Sequence, residues 1–446
     1  MAKFFINILM CFISLLLFYF SPNIYSYEYC FIVFVFYILF NVVYLLEEPK
    51  NRSFSFEFLF MVAFLMTNFI YPVFYYLDNP TISLFAFSFN KDVISKSTGL
   101  ALLAYSFYIL GNTNYRNVNR DFKVLIVNDM VISSVLIISV LNFIIFTSLG
   151  GVDYYKDVYS GANAERGLTV YFMLFLSVST YLLAVLIYNS TNRLLIIISL
   201  IYIFGLIILF LSTGARLFAM SLALLLLVQY SNLVKKISIV IVTVILFFGA
   251  FVMHVVQVFR ESGVDNSSFS DIFLELINGK SSFFDSFLDL IINNRNLYVL
   301  TDFVDSNSYV YFLNVSASIF GIFPSIKSFM VFFNIPDYMT SGLMPTFLEF
   351  GSNPPFGLGT NMVGEAYLSL GVLGVIIVFY FFGRAINYFS NNSRDNIYYR
   401  ITYFFLASQA VFFPRIDYLW GVRLIVWMLV LFFLIKIFSK YVKERL

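Results

Sequence analysis

Leu194–Leu211 reads LLIIISLIYIFGLIILFL, a run without a single charge. A helix of that length rises about 27 Å, enough to cross the hydrocarbon core of a bilayer. Apolar residues occupy every face of it, so no side prefers water. The stretch reads as a membrane-spanning helix, and it sets the reading of the rest of the chain.

Working outward, the same composition recurs along most of the 446 residues. Hydrophobic residues make up 61% and charged residues 12%, and the mean hydropathy is +0.87. A soluble domain carries about a quarter charged residues, so water is not the main solvent here. The 58 Phe and 32 Tyr add bulk suited to lipid and, for Tyr, to the membrane–water boundary. A net charge of +2 gives no reason to expect nucleic acid as a partner. Cys11 and Cys30 lie in or beside the first two apolar stretches and are expected to be packing residues. No small-residue cleavage site follows the first stretch, which is therefore expected to be retained as a helix.

About twelve spans are predicted, making an all-α polytopic membrane protein. They begin with Phe4–Phe20, Tyr27–Leu46, Phe54–Leu77 and Val93–Gly111, the last being the weakest. Val124–Leu149, Leu168–Tyr188, Leu194–Leu211, Leu217–Val234 and Ile237–Phe259 follow. Met362–Gly383, Ile397–Phe413 and Leu419–Phe438 close the series. An even number puts both termini on one side. With the N-terminus inside, sixteen basic residues fall on the inner side, from Lys3 and Lys50 to Lys436, Lys440, Lys443 and Arg445, against seven in the short outer loops. The positive-inside rule then predicts cytoplasmic termini.

This divides the chain into residues 1–259 with spans one to nine, a large outer loop at 260–361, and residues 362–446 with the last three spans. The loop is too apolar for a disordered linker. Asp271–Ile277 and Ser282–Ile292 are expected to form short amphipathic helices. Tyr309–Phe333 is apolar but interrupted by Gly321, Pro324 and Lys327, and is expected to lie on the membrane or re-enter it. No internal repeat is visible.

The middles of the predicted spans are almost free of ionisable residues, with Glu57 and Asp129 near helix ends. Ion-coupled transport requires such groups at bilayer depth. Charges gather instead at the outer helix ends. Arg216 follows Ser212-Thr213-Gly214-Ala215 and opens a helix, where a guanidinium and free backbone N–H groups suit an anion; a snorkelling arginine is the plainer reading. His254, Gln257 and Glu261 share a helical stripe beside Arg260. For His254 an interhelical hydrogen bond is favoured over catalysis, for Arg260 the reverse. Arg166 sits in a loop with Tyr154, Tyr155 and Tyr159, suited to sugar rings or simply to solvent. Arg415, Asp417 and Arg423 flank the last outer turn, as ligand residues or as a local salt bridge. One His, no paired-carboxylate motif around Asp302 and Asp305, and no nucleophile signature lead us to expect neither metal nor cofactor.

Several segments together resemble a known family. They are Thr213-Gly214-Ala215-Arg216; the apolar run Tyr311 to Lys327 ending Phe323-Pro324-Ser325-Ile326-Lys327; Gly357-Leu358-Gly359; Gly364-Glu365-Ala366-Tyr367-Leu368; and Gly371-Val372-Leu373-Gly374. The set resembles the Wzy-type O-antigen polymerases, the oligosaccharide repeat-unit polymerases of the bacterial inner membrane. It covers Thr213 to Gly383 in motifs and the whole chain in layout. The related O-antigen ligases carry a His-Asn-x-Tyr-Leu-like motif where this chain has Gly364-Glu365-Ala366-Tyr367-Leu368, which argues for polymerase over ligase.

The resemblance implies a GT-C-like glycosyltransferase with its loop, between spans nine and ten, in the periplasm. It would act on undecaprenyl-pyrophosphate-linked oligosaccharide, within membrane lipid, with a chain-length regulator as a candidate partner. Glu365, Arg216 and Arg260 would be catalytic, with Glu261 and Glu349 as reserve bases. Arg166, Arg216, Arg260, Glu261, Tyr367, Arg415 and Arg423 would bind substrate. For Glu365, a carboxylate favoured by the helix dipole is an equal reading. A lipid-linked oligosaccharide flippase or a pathway scaffold are the competing classes; the first calls for two repeat-related halves, which the sequence lacks.

Overall fold

A computed structural model describes residues 2–47, 55–77, 88–113, 122, 125–152, 168–213, 216–238, 241, 244–245, 249, 290–322, 332–334, 336, 339, 342–352, 354 and 357–445. All regular elements among them are helical. In hydrocarbon every backbone N–H and C=O must be satisfied within the protein, and a helix does so within its own segment.

The chain runs through α1 (Ala2–Tyr19), α2 (Tyr27–Glu47), α3 (Phe56–Asn68) and α4 (Val93–Asn112). Then come α5 (Asp129–Ser148), α6 (Leu168–Leu186), α7 (Arg193–Ser212) and α8 (Arg216–Gln229). The later part holds α9 (Asn294–Asn307), α10 (Ser316–Phe320), α11 (Met344–Phe350), α12 (Met362–Asn392), α13 (Ile397–Gln409) and α14 (Val422–Arg445). Among the described residues eight helices are long and apolar enough to cross a membrane, and α1 and α3 are shorter apolar helices. Each expected span falls on a helix except Ile237–Phe259, most of which lies outside the described residues.

Several ends differ from expectation. Phe54–Leu77 is α3 followed by a π-helical turn at Tyr71–Tyr75 that contains Pro72, which has no N–H to give an α-helical ladder. Span ten runs on from Gly383 to Asn392, and the last helix continues past Lys436, Lys440 and Lys443 to Arg445. Hydropathy locates a bilayer edge, whereas a helix ends only where its backbone bonds end.

Burial inverts the hydropathy order. The uncharged stretch of the opening lies in α7, only 33% buried, while the weakest predicted span, α4, is 83% buried. A lipid-facing helix must be apolar all round; one enclosed by protein can carry hydroxyls and glycines that meet other helices. α4 is therefore central. Its Ser106 hydroxyl lies 2.7 Å from that of Ser14 on α1, and its Asn112 amide donates to the Tyr44 hydroxyl of α2 at 2.9 Å. Against α12 the backbones themselves touch. A Cβ at Gly111 would lie 2.1 Å from the Tyr380 carbonyl, and one at Gly383 would lie 2.3 Å from the Tyr108 carbonyl. Glycine on both helices is what permits the approach, and Asn387 Nδ2 locks it by donating to the Asn112 carbonyl at 2.6 Å.

The described part of segment 260–361 belongs to the same core. α9, not anticipated from the sequence, packs on α4 and α12, burying Leu297, Leu300 and Val304. Its buried face also carries Asn294, Arg295 and Asn296, so a search for apolar runs passes over it. Asp271–Ile277, and Ser282–Ile292 up to residue 289, lie outside the described residues. Of Tyr309–Phe333, Val310 and Val315 join the core while Tyr311 and Ile319 are exposed.

Candidate functional site: a buried carboxylate at a broken helix

Asn361 begins the site. Its side chain accepts from the N–H groups of Val363 and Gly364 at 2.9 and 3.3 Å, capping two of the orphan donors at the start of α12. Its own amide donates to Asn68 Oδ1 at 3.0 Å, tying the cap to the end of α3. Glu365 stands one turn later, fully buried. Thr360 Oγ1 donates to Oε1 at 2.6 Å, the Gly342 N–H to Oε1 at 3.2 Å, and Asn314 Nδ2 to Oε2 at 2.7 Å. A buried carboxyl without donors is costly, and here three separate segments supply them.

α12 then breaks. Leu370 (φ −158°, ψ 37°) and Gly371 (φ 57°, ψ −144°) leave helical geometry. The Gly371 conformation is open almost solely to glycine. Two carbonyls released near the break are recovered by the neighbouring turn: Val310 N–H donates to Leu368 O at 2.8 Å and Phe312 N–H to Ser369 O at 3.1 Å. That turn holds Tyr311 and Phe312 at positive φ, 52° and 63°, rare for such bulky residues. Its strain brings Asn314 to Glu365. Ser369 Oγ completes the knot, 2.8 Å from the Glu365 carbonyl, 3.0 Å from Asn314 Oδ1 and 2.8 Å from the Tyr418 hydroxyl.

Two further polar groups adjoin it. Tyr367 donates to Asp305 Oδ1 at 2.8 Å, and Lys96 Nζ holds both oxygens of Asp305 at 2.8 and 2.7 Å. Lys96 and Asp305 are each about one-third exposed, so this pair is worth about 0–1 kcal/mol. Arg295, nearly buried, donates to Glu349 and to the Ser88 carbonyl. Burial draws the Arg295 pKa down from its ordinary value and Glu349 opposes this.

The expected site residues separate accordingly. Glu365 and Tyr367 lie in this polar assembly, and Glu349 is the partner of Arg295 rather than a free carboxylate. Arg216 opens α8, whose neighbours are α6, α7 and α13. Arg415 ends a short 3-10 turn, with its carbonyl 3.8 Å from where a Cβ on Gly359 would stand. Arg423, half-buried, lies in the first turn of α14. Arg166, His254, Arg260 and Glu261 lie outside the described residues. Among the described residues no group of three or more His, Cys, Asp or Glu is placed to hold a metal ion.

Sequence reasoning missed Asn314, Thr360, Asn361, Arg295 and the Lys96–Asp305 pair. Asn361 ahead of the apolar Met362 was a readable helix-start signal. Asn314 was a single amide within the apolar run Tyr311–Val315; nothing local told what it would meet.

The fold and site so far define a multi-pass, all-helical membrane protein with a buried, fully donated carboxylate where a broken helix begins. The chain belongs to the O-antigen polysaccharide polymerase Wzy family, whose model matches residues 2–444. It is thus a membrane polymerase of polysaccharide biosynthesis. Searches among curated proteins and among solved structures returned no match.

Proposed function

We propose that the protein polymerises O-antigen at the periplasmic face of the bacterial inner membrane, with both termini in the cytoplasm and about twelve crossings. The growing glycan on undecaprenyl pyrophosphate is the donor; the non-reducing-end hydroxyl of a lipid-linked repeat is the acceptor. The family match over 2–444 carries this reading. The excess of basic residues on one side supports the orientation, and a chain-length regulator remains the candidate partner.

In the transfer the acceptor oxygen bonds to the anomeric carbon, the carbon–phosphate oxygen bond breaks, and the pyrophosphate departs with the electron pair. The acceptor proton passes to a base. Arginines stabilise the charge that develops on the leaving group, more strongly in a site screened from water. Arg216 and Arg260 are assigned that role, with Arg166, Glu261, Tyr367, Arg415 and Arg423 holding substrate. Glu365 is assigned the proton. Its burial beneath Gly342, Thr360 and Asn314 favours a second reading, in which it positions these segments; as a base it requires the 342–360 segment to lift.

Extension of a lipid-linked repeat by the purified protein tests the function. A ladder formed without another enzyme supports polymerase. Transfer to lipid A–core alone makes it a ligase, and no product in the presence of folded protein overturns the enzymatic reading.

A further inference from the structure

At the other end of α12 the structure holds a cavity of about 910 Å³. It is remote from Glu365. Residues 372–392 beyond the break rise about 30 Å, one bilayer core, and the cavity is lined by Asp395–Tyr398 just past that end. A volume near 900 Å³ falls within the roughly 300–1,000 Å³ of small-molecule sites.

Its lining has two chemistries. Ile126, Val131, Phe432, Phe433 and Ile437 make an apolar wall. Lys436, Lys440 and Lys443 line the cavity from the last turns of α14. Their i, i+4, i+7 spacing sets them on one stripe of the helix. Asp395 is the single acidic lining residue. The two lining asparagines are already engaged: Asn128 accepts from the Met130 N–H, and Asn396 from the Tyr398 N–H. Among the lining residues the three lysines are the cations, and they outnumber the one carboxylate. Lys436 stands 5.5 Å from the centre of the Tyr398 ring, which holds it at the rim.

We infer that this cavity, walled by Ile126, Phe433 and Ile437 and rimmed by Lys436, Lys440 and Lys443, is a binding site for one anionic glycerophospholipid of the leaflet opposite the Glu365 site. The phosphate meets the lysine stripe and the acyl chains lie on the apolar wall. A zwitterionic lipid brings its own cation to three lysines; an anionic one neutralises them, which is how basic pockets between membrane helices select headgroups. The site is independent of the polymerase assignment.

The test reconstitutes the full-length protein in nanodiscs of phosphatidylcholine and phosphatidylglycerol, followed by gentle release and native mass spectrometry. Wild type is expected to retain one phosphatidylglycerol in preference to phosphatidylcholine. The triple variant Lys436→Gln, Lys440→Gln, Lys443→Gln should lose that preference by about tenfold or more, since each lysine near a phosphate contributes. Ile126→Trp, at an exposed position on the wall, should block retention without disturbing the core. Retention unchanged in either variant overturns the site: in the first case because the lysines do not select, in the second because surface charge without the cavity suffices. Displacement of phosphatidylglycerol by equimolar undecaprenyl phosphate overturns the assignment to a glycerophospholipid.

Discussion

Asn314 donates its side-chain amide twice to Glu365, at 2.7 Å to Oε2 and at 3.1 Å to the backbone carbonyl. One residue of the 260–361 segment thus registers both the side chain and the backbone of the first turn of α12. The same amide oxygen meets Ser369, just before the helix breaks. Cap, carboxylate and break are one hydrogen-bonded unit.

That unit separates the two roles open to Glu365. Glu365→Gln turns an amide towards the Asn314 amide and is expected to collapse the glycan ladder to single repeats. Asn314→Asp sets two buried carboxylates against each other and is expected to lower accumulation in the membrane. Combining the two moves the charge by one side chain and restores the side-chain hydrogen bond, though not the one from residue 314 to the carbonyl of residue 365. The double variant should accumulate better than Asn314→Asp alone, because the side-chain pair again matches in donor and acceptor. If Glu365 takes the acceptor proton, polymerisation stays lost; a recovered ladder assigns it the positioning role. Gel ladders and membrane immunoblots read both outcomes.

Arg295 and Glu349 are unequal partners. Arg295→Ala leaves the partly buried Glu349 carboxylate without its guanidinium. Breaking a fully buried pair costs about 3–5 kcal/mol, and the residual exposure of Glu349, 21% of its side chain, reduces this. The bonds to Glu349 and to the Ser88 carbonyl both leave the same nitrogen, Arg295 Nη2, so Arg295→Lys keeps the charge but on a shorter side chain and should rescue in part. Thermal unfolding in detergent should rank wild type above Lys and Lys above Ala. An Ala variant as stable as wild type refutes the pairing argument.

Gly383→Ala pushes a methyl to within 2.3 Å of the Tyr108 carbonyl, and overpacking of this kind costs about 1–3 kcal/mol. Gly205→Ala, on the lipid-facing α7, meets nothing within 4 Å and should be neutral or slightly stabilising, by up to about 1 kcal/mol. Opposite shifts in detergent melting temperature are expected. Equal responses would show that α4 and α12 do not rely on glycine contact.

Gly371→Ala forces a side chain onto φ 57°, ψ −144°, at a cost of about 1–3 kcal/mol. The break must then shift, and with it the bonds from Val310 and Phe312. Chain length should shorten more than protein level falls, as the ratio of ladder density to immunoblot signal would report. Full-length glycan at normal expression argues that the break does not matter for function.

Arg216→Ala and Arg260→Ala should each reduce glycan to core plus one repeat at unchanged protein level if they stabilise the pyrophosphate. Losing one such donor costs about 10²–10³ in rate. A normal ladder from either variant removes that residue from the leaving-group site.

The uncharged run Leu194–Leu211 and its companions determined the solvent, the helical class and most span positions, because bilayer thickness and backbone satisfaction act on each segment alone. The α12 motif was legible in part: Gly364-Glu365 and Gly371-Val372-Leu373-Gly374 stood out as residues, but Met362–Gly383 reads as one span and the break at Gly371 came from the structure. Tertiary structure decided which polar residue meets which. α4 reads as a poor span because its partners, not lipid, satisfy its hydroxyls. α9 passed unnoticed because half of its buried face is polar, and Asn314 became intelligible only opposite Glu365. A buried polar group is tolerated only through its partner, and that partner lies far away in sequence: 51 residues for Asn314 and Glu365, 54 for Arg295 and Glu349.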